Sequence, residues 1–416
     1  MSSDPPSFPN HARAVVRSVR GSFTDLLVAA KADPQSPQSI SRRLGLNKNL
    51  AWKISKIVQD DDPTVVLEHM PGAAGLDIFL GKAEAAEVGP DLLKTARDAV
   101  QEYERLIRVH SGDRATLEMM GTGLSPAGRQ QRDEHHRKLL FQGSSYVWGV
   151  QARVIVKVFV VFPAEEPGTL AFASVSGLVD FRRLRPDVSW AMATRWWNND
   201  DGTPMDTPPA EALDPDFAGA GHAPLMGAFC SQPIPELRRV VEGGRTSFEL
   251  VEGPVGNTGA LTCVVGTMQR GIPFYRTPEN EWGEHIAMCD IPAELLVLDS
   301  FIHESFAFAI PPEANLYGTL GVAANTPHPR QRLPLSEPLQ DLGVGPLPLP
   351  TPEVPRHGQL VQAIFDRIGR SPGEFRGYRM KINYPACPAA LALRYRLPAA
   401  PEAEASGAEE GVAVSA

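Results

Sequence analysis

The sequence predicts an α+β protein in which a helical amino-terminal head precedes a body rich in antiparallel sheet. Apolar residues recur at helical spacing early in the chain, whereas later segments alternate between apolar and polar side chains. Strands and helices do not alternate regularly, which argues against a parallel βαβ arrangement. With 416 residues, 43% of them hydrophobic, the chain is long enough for two or three domains.

Charge is distributed unevenly along the chain. Residues 1–58 contain nine lysines and arginines against three aspartates, a net charge of +6, while the whole chain carries −9. The remaining 358 residues therefore carry −15. A basic first domain on an acidic protein is typical of a chain in which only that domain meets nucleic acid.

Two short helices joined by a tight turn are predicted between residues 36 and 58. Pro37 suits the first turn of the first helix, and Gly45 supplies the permissive backbone that a sharp turn needs. Leu46 would fill the corner between the helices, and Asn47 is a suitable cap for the second helix. The spacing of these signals predicts a helix-turn-helix unit.

The second helix has two unlike sides. At about 100° per residue, its apolar side consists of Leu50, Ala51, Ile54, Ile57 and Val58. Its other side consists of Lys48, Asn49, Trp52, Lys53 and Lys56. The first side can pack in a core and the second is free to meet a groove. The alternative is an ordinary helical pair whose lysines form a solvated surface.

This arrangement resembles the helix-turn-helix of bacterial winged-helix transcription regulators, over roughly residues 13–70. The resemblance implies a recognition helix in the major groove of double-stranded DNA. By position, the implied DNA-binding residues are Arg42, Arg43, Asn47, Lys48, Asn49, Trp52, Lys53 and Lys56. Lysines and arginines would meet phosphates, and an amide side chain can read an adenine edge. From Pro63 the chain has one strand-like run and a Pro-Gly turn, which leaves room for a wing with few basic residues.

Composition suggests seven segments in chain order. They are a disordered tail (1–10), the helix-turn-helix domain (11–80), a linking or dimerisation helix (81–112), an α+β body for sensing or oligomerisation (113–323), a proline-rich linker (324–358), a helix plus β-hairpin (359–398) and a disordered tail (399–416). The helix within 81–112 either pairs with its copy in a homodimer or packs on its own domain. Whether the body forms one domain or two stays open.

The body offers an aromatic cluster as a ligand pocket for a small-molecule effector. Its members are Tyr146, Trp148, Trp190, Trp196 and Trp197. The competing interpretation is that the tryptophans are core residues. Dimerisation, DNA binding and an effector together describe a transcription regulator. The runner-up is an enzyme or other effector of unknown chemistry, whose basic head tethers it to nucleic acid or serves as a docking domain.

No sequence motif for a catalytic, cofactor or metal site reaches useful strength, so we expect none of the three. The run from Asp133 to His136 has metal-ligand types, but its basic flanks favour a solvated surface. Asp299, His303 and Ser305 have the residue types of a hydrolytic triad, which chance also supplies. Four scattered cysteines suggest reduced thiols. Without a secretory signal or an apolar run long enough to span a membrane, we expect a cytoplasmic protein with no membrane partner.

Overall fold

The structure, a computed structural model, describes residues 7–124, 126–195, 210–219, 222–242, 245–250, 252–278, 281–318, 331–345 and 350–401. The chain divides into two compact units, an N-terminal unit of Met1–His135 and a C-terminal unit of His136–Ala416. The boundary lies within helix α8 (Pro126–Trp148). The α+β class predicted from the sequence is confirmed, with a helical N-terminal region followed by a sheet-rich body.

In the part that the structure describes, the N-terminal unit is entirely helical. Its helices are α1 (Phe8–Ala29), α2 (Pro37–Leu44), α3 (Lys48–Gln59), α4 (Pro63–His69), α5 (Ala73–Ala85), α6 (Pro90–His110) and α7 (Arg114–Thr122). One apolar core joins them, and Phe23, Ile40, Ile54 and Phe79 are wholly buried in it. The unit is therefore held together by helix packing around a single core.

The wing allowed for after residue 63 is not formed, because this segment is helical. Asp62 accepts a hydrogen bond from the Thr64 N–H (2.8 Å) and Pro63 occupies the first turn, so a cap and a pre-set φ start helix α4. Val66 and Leu67 are then buried in the helical core. The two adjacent valines suggested a strand, but helical packing decides the conformation here.

Helix α6 also differs from the expected linking helix. Its apolar side lies in the core of the N-terminal unit, where α1 is its main neighbour. Ala96 and Leu106 are completely buried there, and burial raises the pKa of Tyr103 to about 12. The apolar side that could have paired with a second copy is thus already covered within the unit. Of the two interpretations left open, the structure has the helix packed on its own domain.

The C-terminal unit contains three sheets and helix α9 (His357–Ile368). Its strands are β1 (Val150–Pro163), β2 (Thr169–Arg183), β3 (Trp190–Arg195), β4 (Glu211–Ala212), β5 (Arg238–Glu242), β6 (Arg245–Leu250), β7 (Leu261–Pro273), β8 (Trp282–Cys289), β9 (Ala293–His303), β10 (Glu313–Gly318), β11 (Arg332–Leu333), β12 (Gln340–Val344), β13 (Phe375–Asn383) and β14 (Ala389–Arg396). The largest sheet has the order β12-β13-β9-β1-β2-β7-β4. All of its neighbours are antiparallel except β1 and β9, which run parallel.

The large sheet is covered on both faces. On one face, Val156 and Val158 of β1 share a core with Ile364 of α9. On the other face, Ile155 and Phe159 share a core with strands of the two smaller sheets, β11-β10-β14-β8 and β3-β6-β5. Alternate residues of one strand point to opposite faces, which explains how β1 serves both cores.

Two predictions about the carboxy-terminal part of the chain are wrong. Strands β13 and β14 do not pair as a hairpin, because β13 lies between β12 and β9 while β14 lies between β10 and β8. Both strands are buried along most of their length, which suits interior positions with two neighbours each. The proline-rich segment is not simply a linker either, since β11 pairs with β10 and β12 pairs with β13.

Candidate nucleic-acid interface

The turn between α2 and α3 is built by local hydrogen bonds. Ser36 Oγ accepts from the Ser39 N–H at the start of α2 (3.2 Å). Gly45 follows directly after α2, and its φ of +61° is a conformation that side chains disfavour. Beyond it Leu46 is buried, and its carbonyl oxygen accepts from Ser41 Oγ (2.7 Å). These bonds fix the start of α2 and the turn that follows it.

Asn47 begins helix α3 and has a structural role there. Its Oδ1 accepts a hydrogen bond from the Leu50 N–H at 2.8 Å, which satisfies one of the free donors of the first turn. Although Asn47 was included among the predicted DNA-binding residues, this oxygen is occupied by the cap. The contribution of Asn47 to an interface is therefore the placement of the helix start.

Helix α3 divides into the two sides that its periodicity predicts. The apolar side, Leu50, Ala51, Ile54, Ile57 and Val58, is buried in the core of the N-terminal unit. On the other side, Lys48, Asn49 and Trp52 are exposed and Lys53 and Lys56 are half-buried. Of the Trp52 side chain, 43% is exposed, so it is not a core residue. The structure thus presents the amino-terminal half of α3 to solvent.

The cations of this surface have no carboxylate partner among the residues that the structure describes. Arg42, Arg43, Lys48, Lys53 and Lys56 form no ion pair there, and the only side-chain bond recorded for them joins Arg42 to Gln38 (3.4 Å). Other arginines of the same unit are paired, for example Arg97 with Glu84 at 2.7 Å and Arg114 with Glu118 at 2.7 Å. These five charges are therefore available to an anionic partner.

Two further residues join this surface from other helices. The ring of His69, at the end of α4, lies 5.0 Å from the ring of Trp52. Burial lowers the pKa of His69, and the charges of Lys56 and Lys53 lower it further. Lys82 of α5 approaches the turn from another direction, since a Cβ at Gly45 would lie 3.9 Å from its Nζ. Neither was predicted, because both are brought here by tertiary packing and no local pattern marks them.

Acidic residues border the basic surface at the carboxy-terminal end of α3. Residues 60–62 are all aspartates and follow directly after the helix. The amino-terminal end, with Lys48 and Asn49, also has the positive end of the helix dipole. An approaching polyanion would therefore be attracted to the start of the helix rather than to its end.

Three of the five residues of the predicted aromatic pocket, Tyr146, Trp148 and Trp190, lie in the described part of the chain. Trp148 and Trp190 are in edge-to-face contact with their ring centroids 6.0 Å apart, but 80% of Tyr146 is exposed. Trp196 and Trp197 lie outside the described residues. Two cavities of the C-terminal unit, of about 530 and about 220 Å³, have described linings that include none of Tyr146, Trp148 and Trp190. Of the predicted pocket, the described residues thus show the contact between Trp148 and Trp190.

The three residues with the types of a hydrolytic triad are not one constellation. Asp299 is completely buried and accepts two hydrogen bonds of 2.7 Å from Arg379. His303 instead contacts Ser305 Oγ (2.8 Å) and Glu374 (3.4 Å). Because the carboxylate is engaged with Arg379, it cannot orient the His303 ring as the acid of a triad does.

No protein-family model matches this chain, and no curated protein is significantly similar to it in sequence. Among the described residues, no helix combines the length and the apolar character needed to cross a membrane. Nor does that part of the chain contain a group of three His, Cys, Asp or Glu side chains placed to hold a metal ion.

Proposed function

We propose that this protein is a transcription regulator that binds double-stranded DNA through the exposed basic side of helix α3. The observation that carries the proposal is the set of five cations around α2 and α3 without carboxylate partners in the described residues. An exposed basic helix next to a tight turn is the element that helix-turn-helix proteins insert into the major groove. The all-helical unit departs from winged-helix regulators, so the proposal relies on the helix pair alone.

Each side chain of the surface has a separate role in this proposal. Lys48, Lys53 and Lys56 neutralise phosphates and supply affinity that depends on salt. Asn49 is exposed in the first turn of α3, where recognition helices contact base edges, and its amide matches adenine. Trp52 presents an apolar surface, held by the His69 ring, for a thymine methyl or a sugar.

The proposal extends to a homodimer in the cytoplasm whose affinity for DNA a small-molecule effector adjusts. Two copies would place two helices α3 on half-sites about one helical turn apart. An effector would act by binding one of two arrangements of the dimer more tightly than the other. The runner-up, an enzyme tethered to nucleic acid, predicts DNA binding without any requirement for two half-sites.

Replacing Asn49 by alanine is expected to reduce discrimination between sequences rather than general affinity. Loss of a bidentate adenine contact costs about 1–3 kcal/mol at the preferred site and little on random DNA. The matched control is Lys48→Ala, one residue earlier on the same helix, which should weaken binding to all sequences alike. Equal losses for Asn49→Ala on preferred and random duplexes would show that this amide does not read bases.

Replacing Trp52 by alanine is expected to weaken DNA binding several-fold with little effect on folding. Since 43% of the side chain is exposed, we expect the free energy of unfolding to fall by less than about 1 kcal/mol. The control is Ile54→Ala on the buried side of α3, where about 2–5 kcal/mol should be lost. Thermal melts and DNA titrations are measured on both variants. A large loss of stability for Trp52→Ala with unchanged affinity would contradict the proposed contact.

The dimer is tested by selecting preferred sites from random duplexes with the full chain and with residues 1–135 in parallel. The fragment must extend past α7, because Leu117 is completely buried and Thr64 Oγ1 donates to the Gly121 carbonyl oxygen at 2.9 Å. We expect an inverted repeat for the full chain and single half-sites for the fragment, with weaker binding by the fragment. Single half-sites from both, with a monomeric full chain, would favour the tethered enzyme.

A further inference from the structure

A cavity of about 220 Å³ in the C-terminal unit contains a cysteine. Its wall includes Phe229, Cys230, Thr262, Val264 and Arg356, the last of these just before helix α9. The Cys230 side chain is half-buried, whereas Cys263, Cys289 and Cys387 are buried. Of the four thiols in the chain, Cys230 is therefore the one with access to a small molecule.

A second cysteine, Cys263, lies on the segment that pairs with the segment of Cys230. The neighbouring residues pair, since the Ser231 N–H donates to the Thr262 carbonyl oxygen (2.9 Å) and the Thr262 N–H donates to Ser231 Oγ (2.8 Å). Because these segments run antiparallel, as the bridge between Leu225 and Val265 also shows, this pairing places Cys230 opposite Cys263. Residues that face each other across antiparallel segments have Cα atoms about 4.5–5.5 Å apart, which is within the span of a disulfide.

The two thiols have unlike surroundings. Hydrogen bonds from Cys263 and from the Val264 N–H (3.4 Å) lower the pKa of Cys230, against the opposing effects of burial and of the Asp214 charge. The same Cys230–Cys263 hydrogen bond, together with burial, raises the pKa of Cys263. Burial also raises the pKa of Cys289 and of Cys387 to about 12. Cys230 is thus the thiol of the chain that most readily becomes a nucleophile.

Arg356 adds a permanent positive charge to the wall of the same cavity. Its backbone has a φ of +57°, an uncommon conformation for a residue with a side chain. The guanidinium lies 5.0 Å from the centre of the Phe229 ring and donates to the Ala228 carbonyl oxygen at 2.6 Å. These contacts hold a cation beside the space into which a reactant would enter.

We propose that Cys230 is an oxidation site for small hydroperoxides and that Cys263 is its resolving thiol. The Cys230 thiolate attacks one oxygen of hydrogen peroxide, the O–O bond breaks, hydroxide leaves and the sulfur is oxidised to a sulfenic acid. The Cys263 sulfur then attacks the sulfenic sulfur, forming the S–S bond and releasing water with the proton of Cys263. Overall, two thiols are oxidised by one peroxide, which is reduced to two waters. The proposal concerns the C-terminal unit and stands whether or not the chain binds DNA.

The test treats the folded full-length protein with hydrogen peroxide, followed by unfolding, alkylation of the remaining thiols and peptide mass spectrometry. We expect a Cys230–Cys263 disulfide as the main product. In Cys263→Ser, Cys230 should stop at the sulfenic acid, which dimedone traps. The matched control, Cys387→Ser, removes a buried thiol and should leave the disulfide unchanged. Circular dichroism checks that each variant is folded.

A second measurement does not depend on any variant. Brief alkylation of the native protein by iodoacetamide should modify Cys230 at least about tenfold faster than each of the other three cysteines. Equal rates at Cys230 and Cys387, or a peroxide-treated wild type with Cys230 unchanged, would overturn the site. A dimedone adduct on Cys230 in the wild type, without any disulfide to Cys263, would overturn the resolving role.

Discussion

If helix α3 binds DNA as proposed, replacing Lys48, Lys53 and Lys56 together by alanine is expected to produce a large loss of affinity. Each lysine that meets a phosphate releases a condensed counterion, which contributes about 0.9 to the slope of log affinity against log salt. The slope should therefore become shallower by up to about three units. At about 0.1 M salt this corresponds to roughly 10²- to 10³-fold weaker binding.

The control variant loses the same number of positive charges, but from helices other than α3. Arg13, Lys94 and Arg108 are exposed cations on α1 and α6, and their triple replacement by alanine also removes three positive charges. Fluorescence titrations at several salt concentrations are performed on both variants and on the wild type. We expect the control to keep most of the affinity and slope. If the two triple variants behave alike, binding follows net charge alone and α3 is not the interface.

Replacing Arg379 by methionine is expected to destabilise the C-terminal unit by about 3–5 kcal/mol at neutral pH. Asp299 is completely buried, and both of its oxygens accept 2.7 Å hydrogen bonds from Arg379. His357 Nε2 lies 3.0 Å from the same carboxylate. Methionine fills a similar volume but leaves the buried Asp299 carboxylate without its main partner. Removing one partner of a buried ion pair is strongly destabilising because the remaining buried charge is uncompensated.

The loss should depend on pH. Burial raises the pKa of Asp299, but hydrogen bonds from Arg379 and His357 and their charges outweigh it, so the pKa is lowered overall. A carboxyl group with a lowered pKa in the folded state contributes stability above its unfolded pKa, about 3.9, and loses it as pH falls through the folded value. Without Arg379 the buried carboxyl is favoured in its protonated form. The stability difference between wild type and variant should therefore shrink as the pH falls, beginning above the unfolded pKa and continuing down to the lowered pKa of the wild type.

Arg376 provides the matched control on the same strand. It pairs with Asp341 at 2.6 Å, but both side chains are exposed to solvent. Exposed ion pairs contribute about 0–1 kcal/mol, so Arg376→Met should change stability by no more than that. Denaturant unfolding at pH 7 and near pH 3.5 measures both variants. A loss below about 1 kcal/mol for Arg379→Met at pH 7 would show that the buried pair contributes little.

Local signals in the sequence were sufficient to predict the helix pair α2 and α3. Pro37, Gly45 and Asn47 mark the start of α2, the turn and the start of α3, and the structure has the helices at Pro37–Leu44 and Lys48–Gln59. Capping and left-handed turn geometry act over only a few residues, so the sequence near each position contains the information. The buried side of α3 followed from its period for the same reason.

The pairing of distant strands could not be predicted from such local signals. The sequence predicts that β13 and β14 are strands, yet nothing within either strand specifies that each pairs in a different sheet. The valines after Pro63 fit a strand or a buried helix equally well, and the core into which Val66 packs decided for a helix. Strand partners depend on which apolar faces meet in space, a property that a single segment does not encode.

The same distinction applies to the candidate sites. The lysines of α3 were identified from sequence because one helix presents them together. His69 and Lys82 join that surface, and Cys230 meets Cys263, only through packing between elements that are separate in the chain. The sequence alone determined the α+β class, the helix pair and its two sides. Tertiary structure decided strand pairing, the covering of α6 and the juxtaposition of distant side chains, because these depend on contacts between segments rather than on conformational preferences within them.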